Sequence, residues 1–192
     1  GHVAFASKAF CCKEICRIMQ EEGLWLDVVS GGELYTALSA GFPAEHILFH
    51  GNNKSVEELA EALDKNVGRI VVDHFFEMEL LNQLALAAGK TADIEIRIKP
   101  GVEAHTHEFI QTGQIDSKFG FALETGEALE GIRKAISLPN LNLRGLHCHI
   151  GSQIFEITSF TIAARVMLGL AAQAKSELGW EMEELNLGGG FG

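Results

Sequence analysis

The stretch Val3-Ala4-Phe5-Ala6-Ser7-Lys8-Ala9-Phe10 lies near the start of the 192-residue chain. A short apolar run that ends in one lysine and then opens into a helical pattern is typical of a buried β-strand. An amine would then stand at the carboxyl end of that strand, where desolvation makes a lysine a usable nucleophile for a carbonyl group. Taken alone, the stretch favours the other interpretation, a lysine at a strand edge whose head reaches water.

Further strand-like runs follow, with helical patterns between them. Together with 3–7, these runs cover 24–29, 46–50, 69–72, 93–98, 143–149 and 184–187. They are near-continuous in Val, Ile and Leu, which is typical of parallel strands covered on both faces. The α/β alternation therefore predicts an incomplete (β/α)8 TIM-type barrel of about seven βα units, occupying 1–192 as one partial domain. The long interval 101–121 predicts a functional loop.

Composition excludes several classes of partner. Fifteen basic and 26 acidic residues give a net charge of −11, which argues against nucleic acid and anionic membranes as partners. No uninterrupted apolar run approaches the length of a membrane span. Cys11, Cys12 and Cys16 share a predicted helix and lack the paired spacing of a zinc site, so reduced thiols in a cytoplasmic protein are expected.

Polar or glycine-rich residues follow every predicted strand, at the end where barrels carry their chemistry. The glycine run 188–190 after the last strand would let the backbone approach an anion and offer N–H donors. Gly151 and Ser152 could do the same from the preceding strand, with a hydroxyl group added. Two such loops on neighbouring strands predict a phosphate site.

His147 and His149 lie two residues apart on the sixth predicted strand, so both are expected on one face. The pair is compatible with a metal site, with an aromatic wall against a flat ring, or with a hydrogen-bonded core pair. His105 and His107 are expected in a solvated loop. A lysine nucleophile, a phosphate cradle and a flat wall together suit pyridoxal 5'-phosphate. Arg97 and Asp27 would form an ion pair beneath the cofactor, or act on it electrostatically.

With these residues in place, the chain resembles the fold-type III pyridoxal-phosphate decarboxylases over essentially its whole length. This group acts on ornithine, arginine and diaminopimelate, and alanine racemase is a more distant relative. The resemblance implies that Lys8 is the Schiff-base lysine, although Phe5 replaces the family's usual tyrosine. It also implies catalytic roles for Lys8 and His149, the latter stacked on the cofactor ring. The implied cofactor-binding residues are Lys8, Asp27, Arg97, His149, Ser152, Gly188, Gly189 and Gly190.

Several stretches are most similar to the diaminopimelate-specific members of the group. They are 30–34, 50–55, 100–107, 116–121 and 147–153. The implied reaction is decarboxylation of meso-2,6-diaminopimelate to L-lysine, with no metal. The implied full-length enzyme is a cytoplasmic homodimer with shared active sites and a small amino-acid substrate.

The same resemblance implies that parts of the family pattern lie outside 1–192. These are an amino-terminal segment, an eighth strand with the acidic partner of the pyridine nitrogen, and a carboxyl-terminal β domain. We therefore expect the fragment alone to be inactive and the full-length protein to be active. Three alternatives stay open: an arginine or ornithine decarboxylase, a regulatory homologue without catalysis, and a metal-dependent barrel hydrolase that uses His147 and His149.

Overall fold

The computed structural model describes residues 1–102 and 118–192, and their strands form one parallel sheet. The strands are β1 (Ala4–Ala6), β2 (Trp25–Val28), β3 (Ile47–Phe49), β4 (Arg69–Val72), β5 (Ala92–Lys99), β6 (Phe121–Ala122), β7 (Leu141–Cys148) and β8 (Glu184–Asn186). Their order is β1-β2-β3-β4-β5-β7-β8, and the two-residue β6 pairs with the end of β5. Every predicted strand is present, and β6 is the addition.

Helices connect the strands and cover the outer face of the sheet. They are α1 (Lys13–Glu21), α2 (Gly31–Ser39), α3 (Val56–Asp64), α4 (Phe75–Ala88), α5 (Glu127–Ser137) and α6 (Ile157–Leu178). Because α1 begins at Lys13, only Cys16 of the three clustered cysteines lies on the helix predicted for them. The strand–helix alternation confirms the predicted incomplete (β/α) barrel.

The two faces of each strand carry different side chains, as the twofold repeat of a strand requires. On β5, Ile94, Ile96 and Ile98 are buried in the hydrophobic core, whereas Glu95 and Arg97 line the interior cavity. The core therefore lies between the sheet and the helices. Polar groups are left to the inner side of the barrel.

Helix α6 is long and apolar enough, by length and composition, to cross a membrane. The sequence-based expectation missed it because polar residues such as Gln173 and Lys175 interrupt its apolar runs. One face of the helix, with Phe160, Ala163 and Met167 among its buried residues, belongs to the hydrophobic core. In this structure α6 is one of the outer helices of the barrel.

Candidate active site

A cavity of ≈ 1600 Å³ occupies the inner side of the sheet, and residues at the carboxyl ends of the strands line part of it. Residues from β1, β2, β3, β5, β7 and β8, or from the loops that follow them, line it. All eight predicted site residues are among them: Lys8, Asp27, Arg97, His149, Ser152, Gly188, Gly189 and Gly190. The structure thus brings the predicted residues together, while their individual roles stay predictions.

Lys8 lies in a three-residue 3-10 turn, Ser7–Ala9, that directly follows β1. The prediction of a buried strand was wrong here, since Ala4 is exposed, Phe5 and Ala6 are only half-buried, and Lys8 is exposed. The physical reason is position: within the described residues β1 pairs only with β2 and forms an edge of the sheet. The amine consequently stands at the open side of the cavity.

Asp27 faces the cavity from β2, with one carboxylate oxygen 3.5 Å from Nε2 of His50. That oxygen, Oδ1, is buried and makes no hydrogen bond. Burial raises the pKa of the Asp27 carboxyl to about 7, and the positive charges of Lys8 and Arg97 act in the opposite direction. Asp27 is therefore an acid that can hold or release a proton near neutral pH.

Arg97 forms an ion pair with Asp73 at the end of β4, with Nε 4.0 Å from Oδ1. Its guanidinium group lies 4.3 Å from the ring centre of Phe119. The other oxygen of Asp73 accepts the N–H of Gly120 at 3.0 Å. This ion pair with Asp73 differs from the predicted one with Asp27. Arg97 still lowers the pKa of Asp27 through space.

The two histidines of strand β7 have different surroundings. His147 is buried within the strand, and burial lowers its pKa to about 3. His149 lies just beyond the strand end, half-buried, where burial and then the charges of Arg97 and Lys8 lower its pKa. Both line the cavity, as predicted. Residues 105 and 107 lie outside the described part of the chain.

A metal site finds no support in the described ranges 1–102 and 118–192. No group of three or more His, Cys, Asp and Glu side chains there could hold a metal ion. The ring of His147 instead packs edge to face against His50, with centroids 4.5 Å apart.

The two predicted phosphate loops are joined through their backbones. Ile154 donates its N–H to the carbonyl of Gly190 at 2.8 Å, and Gly192 donates to the carbonyl of Ile154 at 3.1 Å. Gly188 and Gly190 have φ values of 72° and 96°. A Cβ atom would lie 2.5 Å from the Cys148 carbonyl oxygen at the first position and 2.0 Å from that of Gly151 at the second. Only glycine fits the loop at positions 188 and 190 in its present form.

Some polar residues of the cavity, among them His50, Glu95 and Asn186, had no assigned role in the sequence. His50 ends a predicted strand, and Glu95 and Asn186 lie within predicted strands. A usable signal was the polar alternation Glu95, Arg97, Lys99 in an otherwise apolar strand, since alternate residues share a face.

Comparison with known proteins identifies the family. The family model for the pyridoxal-binding domain of pyridoxal-dependent decarboxylases matches residues 1–192. The chain belongs to this family. It is 52% identical, over 192 residues, to the diaminopimelate decarboxylase of Bacillus subtilis (strain 168), covering all of this chain and 44% of the relative. The Mycobacterium tuberculosis enzyme of the same name is 48% identical over 196 residues, with 44% of its length covered.

Solved structures give the same result. Diaminopimelate decarboxylase from M. jannaschii superposes with a TM-score of 0.92 at 40% identity, over 100% of this chain and 44% of that one. The Helicobacter pylori enzyme in complex with L-lysine reaches 0.83 at 32% identity, over 94% and 45%. The chain therefore spans less than half the length of these pyridoxal-dependent decarboxylases.

The cavity fits the cofactor of the family. Oδ1 of Asp27 is a buried polar atom that makes no hydrogen bond, and the tight glycine loop offers backbone rather than side chains. Lys8 supplies an exposed amine, and His149 a half-buried ring. These are the group types that an aldehyde, a phosphate and a flat aromatic ring require.

Proposed function

We propose that the full-length protein is a pyridoxal-phosphate-dependent decarboxylase that converts meso-2,6-diaminopimelate to L-lysine and CO2. The observation that carries the proposal is the 52% identity over all 192 residues to an enzyme of that name. The eight predicted site residues around one cavity support it. When bound, the cofactor accepts the electrons that remain after the loss of CO2.

The residues of this chain divide the work of binding and orientation. The Lys8 amine, exposed at the cavity, would hold the cofactor aldehyde. The glycine loop 188–190, with the Ser152 hydroxyl beside it, would bind the phosphate through N–H and O–H donors. His149 is kept neutral near pH 7 by burial and by nearby positive charges, so it can lie against a flat ring without adding a charge.

Asp27 would act on protons in the same cavity. Its pKa of about 7 lets the carboxyl exist in both forms at neutral pH, and its unpartnered Oδ1 can hold a proton or accept a hydrogen bond. Arg97, oriented by Asp73 and the Phe119 ring, would contribute positive charge at the cofactor. The protein is further proposed to be a cytoplasmic homodimer with shared active sites. Light scattering would measure whether it is a dimer.

A substrate panel tests the function. The full-length protein, loaded with pyridoxal phosphate, would receive meso-2,6-diaminopimelate, L-ornithine, L-arginine and L-lysine in separate reactions. Mass spectrometry would detect the products. We expect CO2 release and L-lysine formation from diaminopimelate alone. Preferential turnover of ornithine or arginine would replace the proposed substrate. A loaded protein without turnover on any of the four would refute the proposal.

A further inference from the structure

The side chain of Asn186, at the end of β8, joins the glycine loop to the barrel interior. Its Oδ1 accepts the backbone N–H of Gly188 at 3.0 Å. Its Nδ2 donates to Oε2 of Glu95 at 3.1 Å. One amide thus connects the first residue of the loop with a carboxyl group that is only 2% exposed.

The direction of this amide follows from the chemistry of its two neighbours. The Gly188 N–H can only donate, so it requires the oxygen end of the Asn186 side chain. Oε2 of Glu95 accepts from the NH2 end that this orientation presents to it. In the reversed orientation two donors would face each other at Gly188. The contact with Glu95 therefore gives the amide a second anchor in the orientation in which Asn186 holds the loop.

Strand register explains how Glu95 reaches a residue on a strand that is not its neighbour. Strand β7 lies between β5 and β8, and its residue level with both Glu95 and Glu184 is Gly145. Asn186 lies one inward-facing position farther along β8, level with His147. Both side chains line the interior cavity, and the Asn186 amide meets the Glu95 carboxyl across the inner side of β7.

Glu95 has no task in the proposed chemistry, yet it is a costly residue to bury. Burial raises its pKa to about 8, so at neutral pH it is mostly uncharged and still accepts through its carbonyl oxygen. An apolar side chain would fill this inward-facing position without that cost. The hydrogen bond to Asn186 is the contact that accounts for the carboxyl group.

We infer that Glu95 is a positioning residue, which acts through Asn186 to hold the Gly188–Gly190 loop in the form that binds the cofactor phosphate. The inference rests on the proposed function, because that function supplies the phosphate. Replacing Glu95 should therefore weaken only the binding of ligands that carry the phosphate. Ligands that lack the phosphate should bind equally well with or without Glu95.

The test compares two ligands in the full-length apoprotein, pyridoxal 5'-phosphate and pyridoxal, titrated by absorbance. Glu95→Met removes the acceptor at similar size, Glu95→Gln keeps an acceptor oxygen, and Asn186→Ala removes the connection. We expect Glu95→Met and Asn186→Ala to raise the Kd for pyridoxal phosphate about fivefold to tenfold, the scale of one hydrogen bond. The Kd for pyridoxal should change less than twofold, and Glu95→Gln should behave as wild type. Combining Glu95→Met with Asn186→Ala should add nothing to Asn186→Ala.

Other results would overturn the inference. Wild-type affinity in Glu95→Met would do so, as would equal losses for both ligands, which would indicate a general packing role. Thermal melting would confirm that each variant is folded. If Glu95→Met does not fold, Asn186→Ala provides the same discrimination between the ligands. A wild-type protein that binds neither ligand would refute the proposed function, and the inference with it.

Discussion

The imidazole rings of His50 and His147 meet edge to face inside the barrel, with their centroids 4.5 Å apart. Both side chains are nearly inaccessible to solvent. Burial lowers the pKa of both, and for His50 the neighbouring His147 is the next cause. The pair is therefore held neutral, and the Asp27 carboxylate 3.5 Å away meets an uncharged ring at neutral pH.

This arrangement predicts an acid sensitivity that depends on His147. Its pKa falls from 6.5 to about 3 on folding, so in that window the unfolded chain binds a proton that the folded chain does not. Stability is lost as the pH falls from 6.5 toward 3, by at most about 1.4 kcal/mol per pH unit. In His147→Gln this pH-dependent loss of stability is absent. The difference between wild type and His147→Gln in the free energy of unfolding should therefore narrow as the pH falls.

Urea unfolding at several pH values between 4 and 8 would measure this gap. His46→Gln is the matched control, because it removes an exposed imidazole and leaves the buried one in place. The difference in stability between this variant and wild type should change less with pH than the difference for His147→Gln. Parallel curves for wild type and His147→Gln would show that His147 does not titrate as the burial requires.

Replacing Lys8 tests the nucleophile. Lys8→Arg keeps the positive charge but cannot bind an aldehyde covalently in the same way, so activity should fall by about 10²–10⁴-fold, the scale of one catalytic group. Borohydride treatment followed by peptide mass spectrometry should find the cofactor on the Lys8 peptide in wild type and nowhere in the variant. Lys13→Arg, on the exposed side of α1, should change neither result. Cofactor on a different lysine in wild type would contradict the assignment.

The strands could be predicted because the barrel constrains their composition. Parallel strands covered by helices must be apolar, and β4 was predicted with the bounds it has. Strand β6 was missed because its two residues carry no periodic signal. The prediction that β1 is buried was wrong, because an apolar run does not reveal whether a second strand pairs with its free edge.

The sequence predicted which residues line the cavity, but it did not predict which of their side chains contact one another. Lys8, His149 and the glycine run follow strands, so the parallel topology is enough to place them at the same end of the barrel. The partner of Arg97 could not be predicted in the same way, because Asp27 lies near the end of β2 and Asp73 directly follows β4, and only the folded register decides between them. Glu95 stood in the sequence as one of several alternating charges in β5, and its contact with Asn186 depends on the register across β7.

The glycine loop predicts a graded effect of alanine. Gly190→Ala places a methyl group 2.0 Å from the Gly151 carbonyl oxygen at a φ of 96°, so the loop must shift. A loss of about 1–3 kcal/mol in the free energy of unfolding is expected, together with weaker binding of pyridoxal phosphate. Gly189→Ala is the adjacent control, since nothing lies within 4 Å of its added Cβ. Denaturant unfolding checks both variants, and equal stabilities would show that the loop absorbs the methyl group.

The ion pair between Lys54 and Glu77 is buried, with 1% and 3% of the two side chains exposed and the charged atoms 2.6 Å apart. Lys54 also donates to the carbonyls of Gly51 and Val71, and Glu77 accepts the N–H of Asp73. Glu77→Gln leaves a buried ammonium group without its counter-charge, which should cost about 3 kcal/mol of stability.

Removing the stranded charge should recover part of that loss. In Lys54→Met combined with Glu77→Gln, the amide oxygen can still accept from Asp73 while no buried charge remains, so the double variant should be more stable than Glu77→Gln. The exposed pair of Lys65 and Asp64, with 49% and 70% of the side chains exposed, provides the control. There Lys65→Met should change stability by less than about 0.5 kcal/mol, because solvent already screens the charges. Urea unfolding gives all four values. A double variant as unstable as the single one would mean that the lost carbonyl contacts of Lys54, rather than charge burial, set the cost.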